Sequence, residues 1–171
     1  QYGMTYMTAP CIEACPSRVN VPRYIDYVRD GKPEHALGVI LQKYPMAATC
    51  GRVCVRFCEM ACRRKLVDEA VGIKTLKRYV ADQQKGPHAL RFTRDMVSGP
   101  LPPEMRVAVV GAGPAGISCA YHLLLHGYHV DVLEAMEVAG GMAAIGIPSY
   151  RLPKDVLRSE TGIITSLGGR M

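Results

Sequence analysis

The sequence predicts a multidomain chain, all-helical in its first half and α/β in its second. Three observations carry that expectation. Residues 1–84 show helical spacing of apolar positions and no convincing strand. Residues 105–133 read as strand, glycine-rich turn, helix and strand. Between them, Gly86, Pro87, Gly99, Pro100, Pro102 and Pro103 form a density of breakers that regular structure does not tolerate. The expected organisation is a helical domain over 1–84, a linker over 85–104, and the N-terminal part of a Rossmann-like domain over 105–171.

In the first half, Asn20 is placed to cap a helix whose first turn carries Pro22, with Val21, Ile25 and Val28 on one face and Gly31 beyond its end. Pro33 and Glu34 start a second helix, with Leu37, Ile40, Leu41 and Tyr44 in phase and Pro45 as its stop. Ile73, Leu76 and Val80 predict a third, ending near Gln84. In the second half the period changes. Arg106–Val110 is short, β-branched and apolar, as a buried parallel strand is. A helix with Ile117, Ala120, Leu124 and Leu125 inward ends at Gly127, and His129–Leu133 is the next strand.

The composition is 49% hydrophobic and 21% charged, which excludes a disordered tail. No apolar run is long enough to span a bilayer, and Gln1–Pro10 lacks the basic start and apolar core of a secretory signal, so a cytoplasmic chain without membrane insertion is expected. The net charge of +6 is uneven: residues 1–84 hold 13 basic and 8 acidic residues, residues 85–171 hold 8 and 7. A basic patch suggests nucleic acid. Here there is no Trp, aromatics are 6%, and the bases Arg52, Arg56, Arg63, Arg64 and Lys65 sit among cysteines. Counter-charge to thiolates is the better reading, and no nucleic-acid partner is expected.

Six of the seven cysteines fall within Cys11–Cys62, as Cys11-x3-Cys15-Pro16 and Cys50-x3-Cys54-x3-Cys58-x3-Cys62. Structural zinc favours other spacings, and a disulfide framework needs an oxidising compartment. Soft thiolates in this number suit iron–sulfur ligation, with zinc and inert or disulfide-bonded cysteine as the alternatives. A straight helix over 50–62 would separate its ends by about 18 Å at 1.5 Å per residue, too far for one cluster. The segment must bend, or its cysteines must serve different sites. Cys119 is expected in the core.

Gly111-Ala112-Gly113-Pro114-Ala115-Gly116 is a G-x-G-x-x-G match between a strand and a helix, the context of a dinucleotide site. The glycines allow the tight turn, the approach of a pyrophosphate and close strand–helix packing. Glu134 ends the second strand, where a carboxylate accepts hydrogen bonds from ribose hydroxyls and disfavours a 2′-phosphate, so FAD or NAD is expected over NADP.

The chain resembles the N-terminal part of the glutamate synthase small (beta) subunit family, a module shared with dihydropyrimidine dehydrogenase and the large subunit of bifurcating ferredoxin:NADP oxidoreductase. The resemblance is carried by Cys15-Pro16, Val21-Pro22, Cys50-Gly51-Arg52-Val53-Cys54, Cys58-Glu59, Cys62, Asp68-Glu69, Leu76–Tyr79 and Ala81-Asp82. In the second half it is carried by Val109–Gly116, Glu134, Gly140-Gly141-Met142 and Gly146–Pro153. It implies an all-helical iron–sulfur domain with at least one [4Fe-4S] cluster, a second being open, followed by the start of an incomplete FAD-binding Rossmann-like domain. FAD would lie along Gly111–Gly116, with Glu134, Gly140, Gly141, Met142 and Arg151 contacting it.

The resemblance also implies a partition of the cysteines. One cluster would use Cys15, Cys54, Cys58 and a fourth residue near Lys77. The other would use Cys11 and Cys62 with an upstream pair, whose positions here are Gly3 and Tyr6. Lysine cannot ligate iron when protonated, and Cys50 is a candidate substitute. The family continues into an NAD(P)H-binding domain; this chain has no second G-x-G-x-x-G, so NAD(P)H would need a site supplied elsewhere. The expected function is an electron-transfer module, with no catalytic acid, base or nucleophile, in a complex with other redox subunits. The alternative is a cluster-bearing or structural docking subunit without functional flavin.

Overall fold

A computed structural model describes residues 8–83 and 96–171. Gly3, Tyr6 and the part of the expected linker up to residue 95 lie outside the described residues.

The first half is built of short helices: α1 (Pro10–Glu13), α2 (Val21–Arg29), α3 (Pro33–Leu41), α4 (Ala47–Val53), α5 (Phe57–Met60), a 3-10 turn (Arg63–Leu66) and α6 (Ile73–Gln83). The Asn20 side chain accepts the Arg23 N–H and starts α2, and Pro22 and Pro33 sit in first turns, where a missing N–H costs nothing. α3 ends at Leu41, short of Pro45. The core joins Val21 and Tyr24 of α2, Leu37 and Ile40 of α3, and Ile73 and Val80 of α6. Tyr24 ties α2 to α6 by donating its buried hydroxyl to the Ile73 carbonyl at 3.0 Å.

The second half is a βαβ unit followed by helices: β1 (Arg106–Val110), α7 (Pro114–Leu125), β2 (His129–Leu133), α8 (Met142–Ile145), α9 (Lys154–Thr161) and α10 (Ile163–Ser166). β1 and β2 pair in parallel, with Arg106 opposite His129 and Val110 opposite Leu133. The sheet is less buried than its β-branched sequence suggests. In β1 only Val109 is buried, and Val110 is 84% exposed. Only two strands pair among the described residues, with α7 packed against them, so much of the sheet stays open.

The halves interlock. Met46, which precedes α4, is buried in the core of the second half. Tyr121 of α7, fully buried, donates its hydroxyl to the Leu41 carbonyl at 2.8 Å. Glu160 of α9 accepts the N–H groups of Ala48 and Thr49 at 2.5 and 2.8 Å, capping α4 from across the chain. His122, which with His126 could mimic a metal pair, faces the Lys43 carbonyl at 3.2 Å instead.

Candidate cluster and dinucleotide sites

The cysteine run does bend. α4 ends at Val53, Cys54 is extended, and Arg56 takes a left-handed conformation (φ 69°) before α5 begins. That conformation is unusual for a residue other than glycine, and it aims the Arg56 N–H at Cys54 Sγ, 3.4 Å away. An amide aimed at a sulfur is the kind of contact that orients a metal-ligating cysteine.

The bend draws the cysteines of α1, α4, the break and α5 into one neighbourhood around Tyr24, Tyr44 and Lys77. Cys11 interacts electrostatically with Cys62 and Cys15. Cys58 interacts with Cys54 and Cys15, and Cys50 with Cys54. Burial pushes the thiols of Cys11, Cys50 and Cys58 up, and for Cys50 and Cys58 the Lys77 charge opposes that rise. All six are free thiols. Among the described residues no three His, Cys, Asp or Glu converge on a single metal ion. Soft sulfur donors in this number suit iron in both oxidation states.

Two expectations about neighbouring residues change. Cys119 is exposed rather than in the core, because the buried stripe of α7 runs through Ile117, Ala120, Tyr121 and Leu124 and leaves it on another face. The bases expected to balance the thiolates are largely paired elsewhere. Arg52 contacts Asp82 at 2.9 Å, Arg64 contacts Asp68 at 2.6 Å, and Arg56 lies 3.7 Å from Glu59. The buried cation is Lys77, 5% exposed, on the same stripe of α6 as Ile73 and Val80.

The second site lies at the glycine-rich turn. Gly111 has φ +95°, which L side chains rarely adopt. A Cβ on Gly116 would fall 1.8 Å from the Gly111 carbonyl oxygen, so the turn closes directly onto α7. Gly140 and Gly141 complete the cradle: the Gly140 N–H reaches the Ala112 carbonyl at 2.8 Å, and a Cβ on Gly141 would lie 2.9 Å from the Gly113 Cα. These close backbone approaches leave the first turn of α7, with Pro114 and Ala115 exposed, open to a pyrophosphate at a helix N-terminus. Glu134 accepts the Ala112 N–H at 2.7 Å and the Met136 N–H at 2.9 Å, and these bonds hold its carboxyl below the usual range. It therefore braces the turn from β2, with lone pairs still free for a hydroxyl. Met142 is exposed beside this cradle. Arg151 is also exposed and lies near Lys74 of α6, on the side of the cysteine half.

The two sites meet at one cavity of about 400 Å3. Thr49, Cys50 and Val53 line it from α4, and Pro114, Met142 and Ile147 from the turn and α8. No pattern in the sequence pointed to this contact. Glu160, which fixes α4 against the second half, lies 112 positions from the amide it caps and leaves no local pattern.

Known protein families match the chain in two stretches. Residues 4–88 match the family described as dihydropyrimidine dehydrogenase domain II, 4Fe-4S cluster, and residues 109–169 match an NAD(P)-binding Rossmann-like domain. The chain is 44% identical, over 97% of its length, to the NADP(+)-dependent formate dehydrogenase subunit beta of Moorella thermoacetica, covering 26% of that protein. It is 40% identical, over 94% of its length, to the NADPH-Fe(3+) oxidoreductase subunit beta of Geobacter sulfurreducens, covering 24% of it. It is 31% identical, over 94%, to an NAD-dependent dihydropyrimidine dehydrogenase subunit PreT homolog of Salmonella typhi, covering 38%. The chain thus spans about a quarter of the length of the first two relatives. Among the described residues no helix is long and apolar enough to cross a membrane. With both domain matches in this order along one chain, the protein belongs to the family that joins a dihydropyrimidine dehydrogenase domain II iron–sulfur module to an NAD(P)-binding Rossmann-like domain, the glutamate synthase small-subunit-like family.

Proposed function

We propose that this chain is the electron-transfer module of a flavin and iron–sulfur oxidoreductase, holding a [4Fe-4S] cluster on its cysteines and FAD on its glycine-rich turn. The observation that carries the reading is the shared cavity, which sets Cys50 of the cysteine site opposite Pro114 and Met142 of the dinucleotide site. When bound, an iron–sulfur cluster supplies one-electron transfer and a flavin couples it to two-electron donors, a conversion that a nicotinamide ring does not make. That difference favours FAD for a ring seated beside a cluster.

The residues of this chain bind and position. Cys54 is held in its extended conformation by the Arg56 turn. Gly111, Gly113 and Gly116 let the backbone approach a pyrophosphate, and Glu134 braces that backbone. Val53, Met142 and Ile147 line the cleft between the sites with apolar surface. Nicotinamide binding and contact with further redox subunits would be supplied by other parts of the protein or complex, in keeping with the subunit names of its relatives.

The test is iron and flavin quantitation on the protein purified anaerobically in its native complex. Both cofactors are expected. Iron without flavin would replace this reading with that of a cluster-bearing docking subunit.

A further inference from the structure

Lys77 is buried, and among the described residues it makes no ion pair. Its Nζ lies 5.6 Å from the centroid of the Tyr44 ring, and its charge acts on both Cys50 and Cys58. A lysine ammonium without a carboxylate partner is costly to bury. The Tyr44 hydroxyl is buried as well, and among the described residues its one neighbour able to accept a hydrogen bond is the Cys50 thiol. A buried cation without a carboxylate partner and a buried donor hydroxyl, both beside Cys50, point to an anion that sits among them.

The position of Lys77 is fixed by the backbone. A Cβ on Gly51 would lie 2.8 Å from the Arg78 Cα, so α4 packs directly on α6 and brings Cys50 next to Lys77. An ammonium has no lone pair and cannot ligate iron. It can donate to thiolate or sulfide sulfur. Cys58 interacts electrostatically with Cys54 and Cys15, and Cys50 with Cys54, whereas Cys11 interacts with Cys62 as well as with Cys15; with Cys11 and Cys62 set aside as a second group, Cys15, Cys50, Cys54 and Cys58 remain. That is a complete four-thiolate set without Lys77.

We propose that Lys77 is the built-in counter-charge of a [4Fe-4S] cluster ligated by Cys15, Cys50, Cys54 and Cys58, with Cys50 supplying the fourth thiolate and the Tyr44 hydroxyl donating to the same site. The proposal rests on the cluster reading above and adds its ligand set and the control of its potential. Such a cluster is a net anion and becomes one charge more negative on reduction, so a cation fixed beside it favours the reduced form. Lys77 is a positioning residue for charge, not a ligand.

The test is a dithionite redox titration with mediators, followed by EPR, on the anaerobically purified complex carrying Lys77→Met, Lys77→Gln, Lys77→Arg or Cys50→Ala. Lys77→Met and Lys77→Gln should keep wild-type iron content while the reduction equilibrium falls at least about tenfold, which is about 59 mV for a one-electron couple. Lys77→Arg should hold the wild-type potential. Cys50→Ala should lose iron or change the EPR signal. Unchanged potentials in both neutral variants, or an unchanged signal in Cys50→Ala, would overturn the proposal while leaving a cluster in place. Wild-type protein without iron would instead overturn the cluster reading on which it rests.

Discussion

Alanine at Gly113 and alanine at Gly116 separate what the glycine-rich turn does for the fold from what it does for a ligand. A Cβ at Gly116 would lie 1.8 Å from the Gly111 carbonyl oxygen and 3.0 Å from its carbon, both backbone atoms, so the turn must open. Overpacking of this kind costs about 1–3 kcal/mol or more. For a domain of this size that is roughly 2–12 °C of melting temperature, at about 2–4 °C per kcal/mol. A Cβ at Gly113 would meet only the Gly141 Cα, at 3.9 Å, and Gly113 has an ordinary φ of −72°. The entropic gain of alanine there, about 0.4–1 kcal/mol, is offset by its poorer capping of α7, so stability should stay within about 1 kcal/mol of wild type. The same Cβ would stand where a pyrophosphate must approach. Thermal unfolding and flavin content, measured on the purified complex, should therefore split: Gly113→Ala melts normally but loses flavin, and Gly116→Ala loses both. Gly99→Ala, whose Cβ meets nothing within 4 Å, should lose neither. Full flavin in Gly113→Ala, or wild-type melting in Gly116→Ala, would refute the assignment of the turn.

Other perturbations probe the remaining contacts. Cys54→Ala and Cys58→Ala should each lose iron, and unchanged iron in both would contradict the cysteine assignment. Glu160→Ala strands the Ala48 and Thr49 amides, at a cost of about 1–3 kcal/mol, and should speed hydrogen exchange over α4 while Glu160→Gln has a smaller effect. Equal exchange rates in Glu160→Ala and wild type would show that the cap carries no stability. The Glu134 carboxyl is held below its ordinary range by the Met136 and Ala112 amides, so its contribution is complete above the unfolded carboxylate value and is lost as pH falls through the lower folded value. Protection at Ala112 and Met136, measured relative to the intrinsic exchange rate at each pH, should fall in acid in the wild type, with a weaker pH dependence in Glu134→Gln.

The sequence was most legible where local chemistry decides the structure. Arg106–Val110 and His129–Leu133 are strands with the expected bounds, and Asn20 caps α2, because short β-branched runs, Gly111–Gly116 and a capping side chain act within a few residues. The cysteine site was less legible. Regular x3 spacing fits a straight helix or a broken one equally well, and the break rests on Arg56, a residue type that carries no left-handed signal. Lys77 reads as an exposed position by type, yet it falls four residues after Ile73 and three before Val80, on the stripe that α6 buries. That phase was the available signal. Glu160 offered none, since its partners are brought to it only by the packing of α9 on α4.

In the function proposed above, one chain sets a thiolate-held iron–sulfur cluster beside a dinucleotide-bound flavin. The most direct measurement is EPR of the dithionite-reduced complex, purified anaerobically, together with iron, zinc and flavin quantitation. The account predicts a reduced iron–sulfur signal, about four irons per chain for each cluster, bound flavin, and relaxation of the cluster signal by a flavin radical at close range. Zinc in place of iron, or iron and flavin that show no magnetic interaction at any degree of reduction, would contradict it.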